Sequence, residues 1–138
     1  MIVLRIPPTL EYRDLALRAV AAACKLVGNS NGAGHKSQFD DHVVSAFGEA
    51  FNNLALHGFP DRPRSDIHIE INVGQDWLTI RMTDRGAGFD FDHVPEPDLD
   101  QLPEGGLGVF IIKSFMDQVE YERGAENVLT MTKRLRAS

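Results

Sequence analysis

The feature that most constrains the fold is a strict alternation of apolar and polar residues near the middle of the chain. Every second residue from Ile67 to Val73 is Ile or Val, and the residues between them are polar. After the turn Gly74-Gln75-Asp76, the alternation resumes from Leu78 to Met82. Alternation with period two is typical of strands, and a short turn joins strands that pair antiparallel. The sequence therefore predicts a sheet with one apolar face that needs a cover.

The rest of the chain supplies three helices and three more strands. The patterns predict a strand Met1–Ile6, a helix Thr9–Val27 stopped by Gly28, a loop Asn29–Ser37, a helix from about Asp40 (whose side chain would cap it) to His57, a helix Leu107–Met116, and strands Val119–Arg123 and Val128–Leu135. This order lacks the strict strand–helix alternation of a doubly wound sheet. It predicts an α/β fold: a two-layer sandwich whose mixed, mostly antiparallel sheet is covered on one face by three helices.

Length and charge limit the classes of function. The 138 residues fit one domain, 1–138, and 14 Lys and Arg against 20 Asp and Glu give a net charge of −6. This balance argues against direct binding to nucleic acid or to anionic membranes, which depends on basic clusters. One cysteine excludes a disulfide framework and a multi-thiolate metal site. No apolar run approaches the roughly 18 residues of a membrane helix, so we expect a cytoplasmic protein.

The second helix carries the first candidate site. Glu49, Asn53 and His57 step by four residues and line up along one flank of its apolar stripe, which comprises Val43, Val44, Phe47, Ala50, Phe51 and Leu54. A solvated flank is one interpretation. A pocket wall is the other, with Glu as a general base and Asn as an oxygen ligand for Mg²⁺. His57 is expected to complement the helix dipole in the last turn.

The segment Thr83–Phe89 carries the second candidate. The strand phase places Asp84 on the core side, where a carboxylate needs a partner. It could cap its own turn through backbone N–H groups, or it could accept a hydrogen bond from an exocyclic amine such as that of adenine. Gly86 and Gly88 would then let the backbone approach a flat ring.

The third candidate is a glycine-rich segment that opens into an apolar helix. Gly105, Gly106 and Gly108 lie at its start. This arrangement offers free N–H groups and the positive end of a dipole to a phosphate. It matches neither the P-loop nor the dinucleotide-binding signature.

Together, Glu-x-x-x-Asn on a helix, Asp-x-Gly-x-Gly after a strand and Gly-x-Gly opening a helix resemble the ATP site of the GHKL superfamily. The resemblance is greatest to its bacterial anti-sigma-factor serine/threonine protein kinases, of the RsbW and SpoIIAB type. It is carried by the stretches Glu49–Gly58, Asp84–Asp90 and Gly106–Tyr121, and by Met131–Leu135 in the last strand.

The resemblance assigns roles to eight residues. It implies a general base at Glu49, a Mg²⁺ ligand that bridges to the ATP phosphates at Asn53, an adenine contact at Asp84 in a pocket shaped by Gly86 and Gly88, and phosphate binding at Gly106, Leu107 and Gly108.

The resemblance also implies a function. Such proteins use ATP and Mg²⁺ to phosphorylate a STAS-type anti-anti-sigma protein, sequester a sigma factor, and commonly form homodimers. The 138 residues leave no room for the dimerisation helices of a histidine kinase, so the target is expected to be another protein. Two alternatives stay open: a nucleotide-gated protein-binding regulator with little or no kinase activity, and an ATP-binding fragment of a split histidine kinase.

Three features differ from the family pattern. The expected ATP lid, residues 89–105, has no Lys or Arg and carries the acids Asp90, Asp92, Glu96, Asp98, Asp100 and Glu104. A basic residue near the phosphates would have to be Arg85 or Lys113. Val128 is expected where relatives carry a Thr that supports the adenine contact. The acidic lid motivates the regulator alternative.

Overall fold

The computed structural model describes residues 1–28, 36–91 and 106–136. The elements are β1 (Ile2–Ile6), a short 3₁₀ helix (Leu10–Tyr12), α1 (Arg13–Cys24), α2 (Lys36–His57), β2 (Ile67–Val73), β3 (Trp77–Asp84), α3 (Gly106–Phe115), β4 (Gln118–Glu122) and β5 (Asn127–Arg134). The sheet has the order β1-β2-β3-β5-β4, and each neighbouring pair is antiparallel. The predicted α/β fold is confirmed. Among the described strands the sheet is antiparallel throughout rather than mixed, because hairpins and return connections join its neighbours.

The core lies between the inner face of the sheet and the helices. In β2, Ile67, Ile69 and Ile71 are each 0% exposed, as the alternation predicts. The stripe of α2 packs onto this face through Val43, Phe47, Ala50, Phe51 and Leu54, whereas Val44 is only partly buried. Each large side chain buried in this way stabilises the fold by about 1.5–3 kcal/mol. The core therefore fixes the rotation of α2 and, with it, the direction in which its polar flank faces.

The first helix is shorter than predicted. The 3₁₀ helix precedes α1, and after Cys24 the chain continues in tight turns, such as the bond from Lys25 N to Ala22 O of 3.2 Å. Gly28 ends this region with φ of 59°, a conformation that glycine adopts at little cost. Its N–H donates to Gln75 O at 2.9 Å, so the predicted stop also ties the end of the helical region to the turn between β2 and β3.

The predicted cap at Asp40 is wrong. Helix α2 begins at Lys36, which places Asp40 inside the helix. Phe39 is 3% exposed, so the additional turn before Asp40 buries an aromatic side chain in the core. Instead of capping, Asp40 lies with Oδ2 3.6 Å from Lys25 Nζ.

The outer face of the sheet is polar. Glu70 stands opposite Arg81, and Thr79 Oγ1 lies 3.1 Å from Thr132 Oγ1.

Strands β4 and β5 each begin one residue earlier than predicted. In β5 the first residue is therefore Asn127 rather than Val128, and Asn127 faces the core. Among the described helices, none combines the length and the apolar composition needed to cross a bilayer.

Candidate active site

Helices α2 and α3 bring the first and third sequence motifs together. A Cβ placed on Gly108 would lie 3.1 Å from Glu49 Oε2 and 3.5 Å from Asn53 Oδ1. Both side chains therefore face the first turn of α3, as their four-residue spacing on α2 allows. A side chain at position 108 would press on the Glu49 oxygen and would reach van der Waals contact with that of Asn53, so glycine keeps the space in front of them open.

The first turn of α3 is suited to an anion. Gly106, Leu107 and Gly108 form this turn, and α3 has no acidic residue in it. The N–H groups of a first helical turn have no acceptor within the helix, and the dipole adds positive potential there. The described parts of the motifs thus place a carboxylate, an amide oxygen and free N–H groups around one small region.

Asn53 is the most informative residue of this cluster. It is 5% exposed, and its Nδ2 has no hydrogen-bond partner among the described residues. A buried amide group without a partner costs about 1–3 kcal/mol, and such groups are rare unless a ligand or water satisfies them. The sequence predicted a pocket wall or a solvated flank here, and the burial of Asn53 favours the wall.

The donor set fits Mg²⁺ shared with phosphates. Asn53 Oδ1 and the Glu49 carboxylate are oxygen donors, which Mg²⁺ prefers. In residues 1–28, 36–91 and 106–136 there is no group of three or more His, Cys, Asp or Glu that could hold a metal ion. Mg²⁺ commonly binds through one or two protein oxygens, with waters and substrate phosphates filling the other positions.

Asp84 lies at the end of β3 and is 5% exposed, on the core side as its strand phase predicts. Its Oδ1 accepts hydrogen bonds from Gly86 N at 2.8 Å and from Asn127 Nδ2 at 3.0 Å. Both hydrogen bonds that the described residues donate to this carboxylate end on Oδ1. One oxygen therefore caps the turn, as one of the two sequence interpretations holds, and neither of these bonds uses Oδ2.

A side chain at either glycine of this turn would clash with neighbouring parts of the protein. A Cβ on Gly86 would lie 2.3 Å from Gly58 O, and Ala87 N donates to the same oxygen at 2.8 Å. Gly88 has φ of 81°, and a Cβ there would lie 2.7 Å from Arg123 Nε. The glycines thus let the turn dock against the end of α2 and against the chain after β4.

Asn127 was not among the residues predicted for the site, where Val128 was expected in place of the Thr that supports the adenine contact in relatives. The register pairs Asp84 with Asn127 and Thr83 with Val128, so Val128 faces the outer side of the sheet and cannot support a contact beside Asp84. Asn127 is 2% exposed and also donates to Gly86 O at 2.9 Å. The signal was present, because stepping back by two from the inward residues Met131 and Leu129 reaches position 127.

A narrow cavity separates Asp84 from the Glu49 cluster. It is lined by Ala50, Asn53, Leu54, Met82, Asp84, Phe89, Phe91, Tyr121 and Leu129. Tyr121 Oη accepts a hydrogen bond from Phe89 N at 3.0 Å. Burial raises the pKa of the Tyr121 hydroxyl, and the nearby Asp84 carboxylate raises it further against the opposing effect of that hydrogen bond.

The two predicted phosphate cations lie elsewhere. Arg85 lines a groove on the outer face of the sheet together with Arg5 and Arg81, away from Gly108. Lys113 lies on α3, the helix that begins with the glycines expected to bind phosphate, but its Nζ donates a hydrogen bond to Phe91 O.

His57 lies in the last turn of α2, as predicted. The acids predicted in the lid at Asp92, Glu96, Asp98, Asp100 and Glu104 lie outside the described residues.

Known proteins with similar sequences cover nearly the whole chain. The sequence model of the histidine kinase-like ATPase domain matches residues 6–133. The serine-protein kinase RsbW of Bacillus velezensis is 27% identical, with 96% of this chain and 84% of the relative covered. The protein of the same name from Bacillus subtilis is 29% identical, with 80% of this chain and 74% of the relative covered.

A solved structure shares the fold. The histidine kinase domain of the blue-light activated histidine kinase from Erythrobacter litoralis EL346 superposes with a TM-score of 0.58 at 17% identity. The superposition covers 89% of this chain, which spans 61% of that chain.

Proposed function

Because the chain belongs to the family of histidine kinase-like ATPase domains, we propose that it is an ATP- and Mg²⁺-dependent serine/threonine protein kinase that acts as an anti-sigma factor. The relatives named serine-protein kinase RsbW support this activity. In this proposal residues 1–138 form one domain that works as a homodimer in the bacterial cytoplasm. It phosphorylates a STAS-type anti-anti-sigma protein and sequesters a sigma factor.

The observation that carries the proposal is the convergence of Glu49 and Asn53 on Gly108. Two oxygen donors from α2 meet the N-terminal turn of α3, 3.1 and 3.5 Å from the position of a Cβ on that glycine. A carboxylate, a metal-binding oxygen and free N–H groups are the parts that phosphoryl transfer needs, because the reaction depends on positioning and charge neutralisation. The buried Asn53 Nδ2, which has no hydrogen-bond partner in the described part of the chain, supports a site completed by a ligand.

Each residue then has one task. Backbone N–H groups of Gly106, Leu107 and Gly108 would bind the phosphates, and Asn53 Oδ1 would hold Mg²⁺, which neutralises charge on the phosphate oxygens. Asp84 Oδ2 would accept a hydrogen bond from the adenine amine. Gly86 and Gly88 maintain the turn that fixes this carboxylate.

Glu49 is the proposed general base. The hydroxyl oxygen of a serine or threonine in the partner attacks the γ-phosphorus, and Glu49 accepts the hydroxyl proton. The bond between the γ-phosphorus and the bridging oxygen breaks, and ADP leaves with the electron pair. A positioned general base contributes about 10²–10⁴-fold to the rate.

The test is transfer of labelled γ-phosphate from ATP to the purified STAS-domain partner. Glu49→Gln is expected to slow transfer by about 10²–10⁴-fold while ATP binding persists. Glu122→Gln, the same change at an exposed position of β4, is the matched control and is expected to keep the wild-type rate. If Glu49→Gln transfers phosphate at the wild-type rate, Glu49 is not the general base.

The positions of Arg85 and Lys113 favour a second candidate, a nucleotide-gated protein-binding regulator with little or no kinase activity. Arg85 lines the groove on the outer face of the sheet, and Lys113 Nζ is engaged by Phe91 O. Calorimetry that detects ATP binding and nucleotide-dependent partner binding, with no phosphate transfer, would support the regulator over the kinase.

A further inference from the structure

The cavity beside Asp84 is too small for a nucleobase as it stands. Its free space is about 10 Å³, which holds about one water molecule. Pockets that bind small organic ligands typically have volumes of roughly 300–1,000 Å³. A base that reaches Asp84 through this cavity must therefore displace one of the lining side chains.

Among the side chains that line the cavity, Phe91 is the one that can move out of it most easily. Helix α2 and strands β3, β4 and β5 hold most of the others, and Tyr121 Oη fixes the backbone of Phe89. Phe91 lies outside these elements, yet it is 5% exposed. Its ring packs on Tyr121 with a centroid distance of 4.5 Å and meets Phe89 edge-on at 6.4 Å. This flat aromatic side chain fills the space between the walls of the cavity.

Lys113 contacts the backbone of Phe91. Its Nζ donates to Phe91 O, which links α3 to the segment after β3. A second lysine makes the same type of contact near the same end of the helix, where Lys133 Nζ donates to Phe115 O at 2.6 Å. Only the contact of Lys113 involves a residue that lines the cavity, so Lys133 provides a matched comparison within the described residues.

We propose that Phe91 occupies the position of the nucleobase and that Lys113 holds it there, so that the chain inhibits its own nucleotide site. ATP competes with the ring of Phe91 for the cavity beside Asp84. This inference rests on the proposed function, because it concerns entry to the same site. The apparent dissociation constant is then the intrinsic one divided by the fraction of molecules whose cavity is open.

The test is calorimetric titration of the full chain with ATP and Mg²⁺. Phe91→Ala is expected to bind ATP about tenfold more tightly than the wild type, a difference of about 1.4 kcal/mol. Lys113→Met keeps the Phe91 ring but removes the hydrogen bond to Phe91 O, so it is expected to tighten ATP binding by a smaller factor. Lys133→Met is the control and is expected to leave the affinity unchanged. Thermal unfolding of each variant establishes that it is folded.

The rate of binding gives an independent measurement. With ATP that carries a fluorescent N-methylanthraniloyl group, the observed rate for the wild type is expected to saturate as nucleotide concentration rises, because the cavity must open first. For Phe91→Ala it is expected to rise linearly.

The outcomes separate the two proposals. Weaker or equal ATP binding by Phe91→Ala, with the wild type binding, overturns the self-inhibition and leaves the proposed function standing. Weaker binding by Lys113→Met would place this lysine among the groups that bind ATP and would likewise overturn it. Absence of ATP binding in every folded variant would overturn the proposed function itself.

Discussion

The two ends of the candidate site are built in opposite ways. At the Asp84 end, polar groups of the turn form hydrogen bonds within the protein. Asp84 Oδ1 and Gly86 O each accept a hydrogen bond from Asn127 Nδ2. Ala87 N donates a hydrogen bond to Gly58 O. At the Gly108 end, Asn53 Nδ2 has no partner among the described residues, and the first N–H groups of α3 have no acceptor within the helix. The protein organises the first end by itself, whereas the second end is left for a ligand to complete.

This difference separates stability from binding. Changes at the Asp84 end should reduce the free energy of unfolding, because they disturb a network that exists without a ligand. Changes at the Gly108 end should reduce nucleotide binding with little effect on stability. Equal effects at the two ends would contradict the comparison.

The largest expected effect is that of Gly86→Ala. A Cβ at this position would lie 2.3 Å from Gly58 O, a backbone atom that cannot move without shifting the end of α2. We expect a loss of about 3 kcal/mol in the free energy of unfolding, measured by urea denaturation. Gly124→Ala is the control, because its Cβ would lie 3.5 Å from the nearest atom. A Gly86 variant as stable as the control would show that the turn is not docked on Gly58.

The two buried asparagines give the next largest contrast. Asn127→Ala leaves Asp84 Oδ1 and Gly86 O with fewer donors and should cost about 2 kcal/mol of unfolding free energy. Asn53→Ala removes an amide whose Nδ2 has no partner within residues 1–28, 36–91 and 106–136 and should cost less than about 1 kcal/mol. The two variants should rank the other way in nucleotide binding: the affinity for ATP and Mg²⁺ should fall more in Asn53→Ala than in Asn127→Ala. Denaturation and calorimetry on the same two samples test both orders.

Gly108→Ala should have a much smaller effect on stability than Gly86→Ala. Alanine favours a helix over glycine by about 1 kcal/mol, which offsets a contact of 3.1 Å with the flexible end of Glu49. Stability is expected to stay within about 1 kcal/mol of the wild type while ATP affinity decreases. A large loss of stability would mean that the Gly108 end is as tightly constrained as the turn after Asp84.

The smallest expected effect concerns Tyr121 at high pH. Its pKa is raised above the ordinary value of 10.0, chiefly by burial, so the folded state favours the neutral phenol. The stability contributed in this way is present below pH 10 and is lost as pH rises through the folded pKa. Ultraviolet titration should show a tyrosine ionisation above pH 10 in the wild type that is absent from Tyr121→Phe. A Tyr121 that ionises at or below pH 10 would show that this hydroxyl is not buried.

Local patterns predicted the elements and the main members of the site. The four-residue spacing of Glu49 and Asn53 put both on one side of α2, and the alternation in β3 placed Asp84 on the core side. Such patterns succeed because a helix or a strand repeats its geometry along a single segment. They failed at Asp40, where burial of Phe39 extends the helix past the expected cap.

By itself, the sequence determined the α/β class, the antiparallel pairing of adjacent strands and the three motifs that carry the family resemblance. Only the tertiary structure decided that Asn127 holds Asp84, a contact between residues 43 positions apart. It also decided that Gly86 packs on Gly58 and that Phe91 lines the cavity beside Asp84. The physical reason is that these contacts join different elements. Their geometry depends on strand register and on how helices pack against the sheet, which no periodicity within one segment encodes.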